Sequence, residues 1–257
     1  MTPWSAYPPP GGPALDAATL RQQWTHLHRS DCEPLPADPA VLQAWALFHA
    51  GEFQAAAQAG LAAGGAGVTV ANKATCIHAN YLEKKEKTRL ELFQEVAQRA
   101  AAQALAEPTN PNAWYWQGYA LGRFSQGISV AKALAQGLGG KVRETLERTI
   151  ALQPLHADAH VALGTFHAEV IDKVGGLIGR MTYGAQKATG LQMFRRALEL
   201  NPDSAVARME YASGLLMLEG EQAMQEATRL YEEAAASQPA DATERLHLAL
   251  ARAELVD

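Results

Sequence analysis

Four prolines occupy the same position in a repeating pattern, and this repetition constrains the fold more than any other feature of the sequence. Each follows an alanine-containing amphipathic stretch, and the clearest example runs from Phe194 to Asn201 and ends at Pro202. The other three are Pro108, Pro154 and Pro239. Because proline cannot continue a helix and a new helix-like stretch follows each one, the pattern predicts stacked helical hairpins.

A small residue recurs at one shared position after each of the first three prolines. Aligning the helices that follow them places Gly118, Gly164 and Ala212 together. A small side chain lets two helix backbones approach closely. We therefore expect helix–helix crossings at these three residues.

The composition also favours an all-α fold. The 257 residues are 48% hydrophobic and 19% charged, which is enough apolar material for a core. Alanine outnumbers valine and isoleucine together. Because β-branched aliphatic residues are too scarce to supply several strands of a buried sheet, we predict helices throughout.

The terminal prolines and the small residues resemble the tetratricopeptide repeat (TPR), whose unit of about 34 residues pairs a helix A with a helix B. The resemblance extends from Ala37 to the C-terminus and implies an α-solenoid of helical hairpins with a C-terminal capping helix. Two units are longer than the norm, and their excess falls between helices A and B, at 125–140 and 174–184. Enlarged units of this kind also look like the helical repeats of TRAP-transporter T-components and of regulators of microtubule dynamics.

The chain is expected to form one repeat domain behind a tail. Residues 1–15 are predicted to be a disordered proline-rich tail, and residues 16–257 a single TPR-like domain that begins with a helix at 16–30. The predicted hairpins span 37–64, 68–108, 109–154, 157–202 and 205–239, and the cap spans 242–255. The two inserts are expected to lie side by side, and the glycine-rich second one is predicted to be an irregular hinge.

Charge and cysteine usage exclude several classes of partner. The formal net charge of −5 leaves no basic surplus for nucleic acid or for an anionic membrane. The longest uncharged stretch, 53–72, contains several glycines and glutamines, so we expect no membrane insertion. Cys32 and Cys76 are too few and too far apart for a disulfide scaffold. Without a signal-peptide pattern at the N-terminus, we predict a cytoplasmic protein.

No motif supports catalysis or a cofactor. His156, His160 and His167 have a spacing that two or three metal ligands can share, but helix packing explains it better. The stretch 137–142 lacks the first glycine and the final Ser or Thr of a phosphate-binding loop. We predict no metal, no cofactor and no catalytic residue.

The resemblance implies that the A helices line a concave groove. By family phase, the predicted groove residues are Tyr115, Trp116, Tyr119, Arg123, Val161, Thr165 and Met209. The lysine and asparagine pairs that clamp a C-terminal carboxylate in some TPR proteins are missing here. A wall of aromatic and aliphatic side chains with one arginine suits an apolar or amphipathic segment. The competing interpretation is that the aromatic residues pack against the neighbouring repeat.

The resulting hypothesis is a non-catalytic scaffold that binds a peptide or helix of another protein in this groove. The alternative is a small-ligand-binding or transporter-accessory protein whose pocket is closed by the glycine-rich inserts. Self-association is left open, and an enzyme is disfavoured because no nucleophile or base is evident.

Overall fold

The computed structural model describes Trp4, Tyr7 and residues 16–255. The helices are α1 (Ala17–Leu27), α2 (Pro39–Ala50), α3 (Phe53–Ala63), α4 (Gly67–Tyr81), α5 (Glu86–Ala106), α6 (Pro111–Gln126), α7 (Val130–Ala135), α8 (Leu138–Leu152), α9 (Ala157–Val174), α10 (Gly176–Tyr183), α11 (Lys187–Leu200), α12 (Ala205–Glu219), α13 (Met224–Ala235) and α14 (Ala242–Glu254). Within these residues no strand occurs. The predicted all-α class is confirmed.

Polar caps and prolines set the helix starts. Asp38 caps α2 by accepting from the backbone N–H of Ala40, and proline occupies the next position. Asn110 caps α6 in the same way, again followed by proline. The first helical N–H groups have no partner inside a helix, so proline is tolerated there and the cap satisfies a following donor.

The helices form hairpins that stack into a solenoid, as the repeat predicts. The pairs are α2/α3, α4/α5, α6/α8, α9/α11 and α12/α13, and each contacts the next. We call α2, α4, α6, α9, α12 and α14 the inner helices. The small residues lie at close crossings: a Cβ built on Gly118 would lie 2.6 Å from Thr145 Oγ1, and one on Gly164 would lie 2.9 Å from the Phe194 ring.

The solenoid closes into a ring. Each inner helix contacts the next, and α14 contacts α2. His49 at the end of α2 bonds Asp241, the N-cap of α14, at 2.7 Å, and Ala242 belongs to the core of the first hairpins. The final helix thus does more than the predicted capping of the last apolar face, because it also joins the two ends of the repeat array.

Both inserts contain short helices, α7 and α10. The prediction of an irregular hinge at 174–184 is wrong, because Gly176–Tyr183 is helical. The prediction that the inserts lie side by side is confirmed by the Tyr183 ring, which packs against Gly139. The inserts follow the C-terminal ends of α6 and α9, so both lie at one end of the ring, which we call the insert end.

Most of the predicted tail, 1–15, lies outside the described residues. Trp4 stacks on the His78 ring with a centroid separation of 4.3 Å, and Tyr7 packs edge-on against Phe53. Across the part of the chain that the structure describes, no helix has both the length and the apolar character needed to cross a membrane.

Candidate functional site: the lumen of the ring

The inner helices surround a cavity of about 270 Å³, which we call the lumen. Six of the seven predicted groove residues line it: Tyr115, Trp116, Tyr119 and Arg123 of α6, and Val161 and Thr165 of α9. Met209 is placed elsewhere. It packs with Ala205, Ala234 and Ala251, between α12, α13 and α14.

The aromatic wall of the lumen is partly packed and partly accessible. Tyr115, Trp116 and Val161 are buried, whereas Tyr119, Arg123 and Thr165 are half-buried. The rings of Tyr115 and Trp116 are 4.8 Å apart and those of Trp116 and Tyr119 are 5.4 Å apart, so they support one another. The half-buried residues are therefore the ones that can contact a ligand.

An ion pair crosses the lumen from α6 to α12. Arg123 Nη2 donates to Glu210 Oε1 at 2.6 Å, and the Thr165 hydroxyl donates to Glu210 Oε2 at 3.0 Å. Burial would raise the pKa of Glu210, but Arg123 and the two hydrogen bonds lower it below its usual value. The carboxylate therefore stays ionised. The Arg123 guanidinium also lies over the Tyr119 ring.

Glu210 is absent from the sequence-based groove prediction, although the sequence contains a signal for it. Gly118 and Ala212 share one repeat position, which makes Glu210 the equivalent of Trp116. Both residues line the lumen, and the adjacent Met209 faces the helix layer behind it. Because Glu210 is charged, the sequence alone suggests an exposed position, although the equivalent residue in another unit is Trp116.

Two further lumen residues come from helices far apart in the sequence, α4 and α14. Tyr81 of α4 and His247 of α14 have ring centroids 5.2 Å apart. Burial lowers the pKa of His247 to about 4, so its imidazole is neutral at neutral pH. No local motif connects these two residues, and only the closing of the ring brings them together.

Residues 28–36, between α1 and α2, lie at the opposite end of the lumen, where Ser30 lines the cavity; we call this segment the linker plug. Lys73 of α4 donates to Asp31 at 2.6 Å, and His28 donates to the same carboxylate at 2.9 Å. His28 Nε2 lies 3.3 Å from His49 Nε2, and His49 in turn bonds Asp241. A continuous polar chain therefore joins the plug to α2, α4 and α14.

The linker plug also contacts the N-terminal ends of α6 and α9 and the C-cap of α11. The Ser30 carbonyl accepts from Asp158 N–H at 3.1 Å, and the Ser30 hydroxyl accepts from Asn201 at 2.7 Å. Glu33 accepts from Asn112 at 2.6 Å. Burial, with a smaller contribution from Asp31, raises the pKa of Glu33 to about 8, so the carboxyl is protonated at neutral pH.

The predicted histidine cluster is used for structure. His156 caps α9 by accepting from Ala159 N–H through Nδ1, and its Nε2–H donates to Asn112 at 2.9 Å. Burial lowers its pKa to about 4, in agreement with a neutral ring. Among the described residues, no group of three or more potential ligands is arranged to hold a metal ion.

The hairpins, the close helix crossings and the lumen lined by inner helices together define a solenoid of the TPR type. Among solved structures, TTC0263, a thermophilic TPR protein of Thermus thermophilus, matches with a TM-score of 0.59 and 15% identity, over 83% of this chain and 97% of that chain. The MamA protein matches with a TM-score of 0.39 and 17% identity, over 74% of this chain and 85% of that chain. No protein-family model and no curated protein matches the sequence.

Proposed function

We propose that the chain is a non-catalytic interaction protein that holds an extended segment of another protein in the lumen. The observation that carries this proposal is the arrangement of Tyr119, Arg123 and Thr165, which are half-buried and line the cavity in front of a packed aromatic wall. Aromatic residues and arginine supply much of the energy of protein interfaces. The free thiols of Cys32 and Cys76 agree with a cytoplasmic setting for this function.

The size of the lumen narrows the kind of segment. A helix with its side chains is about 10–12 Å across, and a cavity of about 270 Å³ cannot enclose one. An extended stretch with one or two apolar side chains fits better. Such a segment would enter from the insert end, because the linker plug buries Asp31, Glu33 and Asn112 at the other end.

The proposal is tested by placing a larger side chain in the lumen without removing any polar contact. Ala162 of α9 lines the cavity, and Ala162→Leu adds volume there. Linear peptides selected on the wild type from a displayed random library should bind Ala162→Leu at least about tenfold more weakly, since the added side chain takes the space of one apolar anchor. The matched control is Ala151→Leu, at an exposed position of α8, which should bind like the wild type.

Equal peptide binding by wild type and Ala162→Leu, with circular dichroism and thermal midpoint unchanged, would show that the lumen is not the binding site. Competition between the selected peptides would show whether they share one site. Loss of binding in Ala151→Leu as well would point to the outer surface.

A small-molecule ligand is the second candidate, and the closed ring favours it. The lumen volume is close to the lower end of the roughly 300–1,000 Å³ typical of ligand pockets, and α14 with the linker plug encloses much of it. A metabolite that binds the folded chain should raise its thermal midpoint, by an amount that grows with the ratio of ligand concentration to Kd. Ala162→Leu should abolish that shift, and Ala151→Leu should preserve it.

A further inference from the structure

The apolar face of α10 points away from the protein. Leu177, Ile178 and Met181 share one side of this helix and are 74%, 57% and 79% exposed. The other side carries Gly179, which is buried and close to Val170. A surface helix normally turns its apolar stripe toward the core. Here that orientation is reversed.

The neighbouring insert helix adds to the same surface. On α7, Val130 and Leu134 stand four residues apart on one side and are 45% and 52% exposed. Val130 of α7 and Tyr183 of α10 both line the lumen, so both helices lie at the insert end of the ring. We call Val130, Leu134, Leu177, Ile178 and Met181 the insert patch. Several exposed large apolar side chains at one end of a protein indicate a contact site.

The two inserts that carry the patch are basic in sequence. Residues 125–143 and 173–187 contain no aspartate or glutamate, although the whole chain has a net charge of −5. Their basic residues are Lys132, Lys141, Arg143, Lys173, Arg180 and Lys187. In the part of the chain covered by the structure, Lys132, Lys141 and Arg180 form no ion pair, whereas the other three each pair with a glutamate. Glu144 and Asp172 border the two stretches, and Glu144 and Glu147 share a surface depression with Arg180.

We propose that the insert patch docks on the surface of an anionic lipid bilayer. Amphipathic helices with large apolar residues flanked by lysine and arginine bind such surfaces by burying the apolar side chains among the lipids and by attracting the headgroups. Because the residues around the patch are basic, the bilayer surface that it binds is expected to be negatively charged. Because salt screens charges beyond about 10 Å, the acidic remainder of the chain does not cancel this local attraction.

The exposure of the side chains favours a bilayer over a protein partner. Leu177 and Met181 project from the surface, and Met181 borders only an open depression that it shares with Arg180 and Glu144. A fluid interface accommodates projecting side chains of any shape, whereas a protein partner needs a matching hole for each one. The docking is interfacial, so it does not require a helix that crosses the membrane.

Flotation with lipid vesicles tests the proposal on the full chain. Wild type should float with vesicles of phosphatidylcholine and phosphatidylglycerol, and not with phosphatidylcholine alone. Leu177→Ser/Met181→Ser should lower the partition coefficient at least about tenfold by removing buried apolar surface. Arg180→Glu should also lower it about tenfold, because it reverses a charge at the headgroups. Higher salt should weaken binding.

The matched control is Leu105→Ser, since Leu105 of α5 is 82% exposed and lies outside the patch. It should bind vesicles like the wild type. The proposal is overturned if wild type does not bind anionic vesicles, if it binds neutral vesicles equally well, or if Leu177→Ser/Met181→Ser binds unchanged. Binding of a synthetic acidic amphipathic peptide that this double variant loses, without vesicle binding, would assign the patch to an acidic protein partner.

Discussion

The two ends of the ring differ in what they bury. At the linker plug, the ionisable side chains of Asp31, Glu33 and His28 are almost fully buried and bonded to one another or to neighbouring helices. At the insert end, Leu177 and Met181 stand in solvent. A polar residue can be buried when hydrogen-bond or ion-pair partners compensate its desolvation. Large apolar residues that stay exposed indicate a contact site. The linker plug therefore serves stability, and the insert end is available for recognition.

The largest expected effect is at the linker plug. Lys73→Ala removes the cation that bonds Asp31 at 2.6 Å and lies over the Trp45 and Phe48 rings. Leaving the buried carboxylate with only neutral donors and no cation should lower the free energy of unfolding by about 3–5 kcal/mol. Urea denaturation measures this change.

The comparison variant is Lys187→Ala at the insert end. Lys187 pairs with Glu219 at 2.8 Å, but both side chains are partly exposed. Its loss should cost no more than about 1 kcal/mol, because solvent screens exposed pairs. Similar losses for the two variants would contradict the distinction between a structural end and a solvated one.

A second effect should appear as a dependence on pH. Burial raises the pKa of Glu33 from its usual 4.5 to about 8, so between these values the folded state binds more protons than the unfolded state and stability falls as pH rises. Glu33→Gln removes this titration and keeps an oxygen that can accept from Asn112. From pH 6 to pH 8 the stability of the variant relative to wild type should increase by about 2 kcal/mol.

Because the histidines titrate in both wild type and Glu33→Gln, their contribution cancels when the free energies of unfolding of the two are subtracted. Glu144→Gln, at an exposed position, controls for removing a carboxyl. Chemical denaturation at several pH values gives the comparison. A difference that stays constant with pH would mean that folding does not raise the pKa of Glu33.

The smallest expected change in the free energy of unfolding is that of a substitution at the insert end. Leu177→Ser changes a side chain that is 74% exposed, so the free energy of unfolding should stay within about 0.5 kcal/mol of wild type. Urea denaturation checks this value, with Leu105→Ser as the matched exposed control. A loss above about 2 kcal/mol would show that α10 packs its apolar face inward.

The sequence predicts the local parts of this molecule well. The regular spacing of the prolines predicts the helical hairpins, and the small residues Gly118 and Gly164 predict the close helix crossings. These features depend on neighbouring helices, so a repeat carries them locally. Six of the predicted groove residues also line the lumen, because the repeat phase determines which side of an inner helix faces inward.

The ring itself is not evident in the sequence. Contacts such as His49–Asp241 depend on how small rotations accumulate over all units, and no single unit encodes that sum. The linker residues Asp31 and Glu33 resemble solvent-exposed charges because nothing nearby in sequence shows their partners Lys73 and Asn112. Glu210 is missed in the same way, since its partner Arg123 lies two units away.

Closure of the ring by α14 on α2 is tested by a double-mutant cycle on His49 and Asp241. These side chains bond at 2.7 Å, and Asp241 separately caps α14 through Glu244 N–H, so single variants mix two effects. The cycle of His49→Ala, Asp241→Ala and the double variant isolates the contact. A closed ring predicts a coupling energy of at least about 1 kcal/mol, whereas additive losses within about 0.3 kcal/mol would contradict closure.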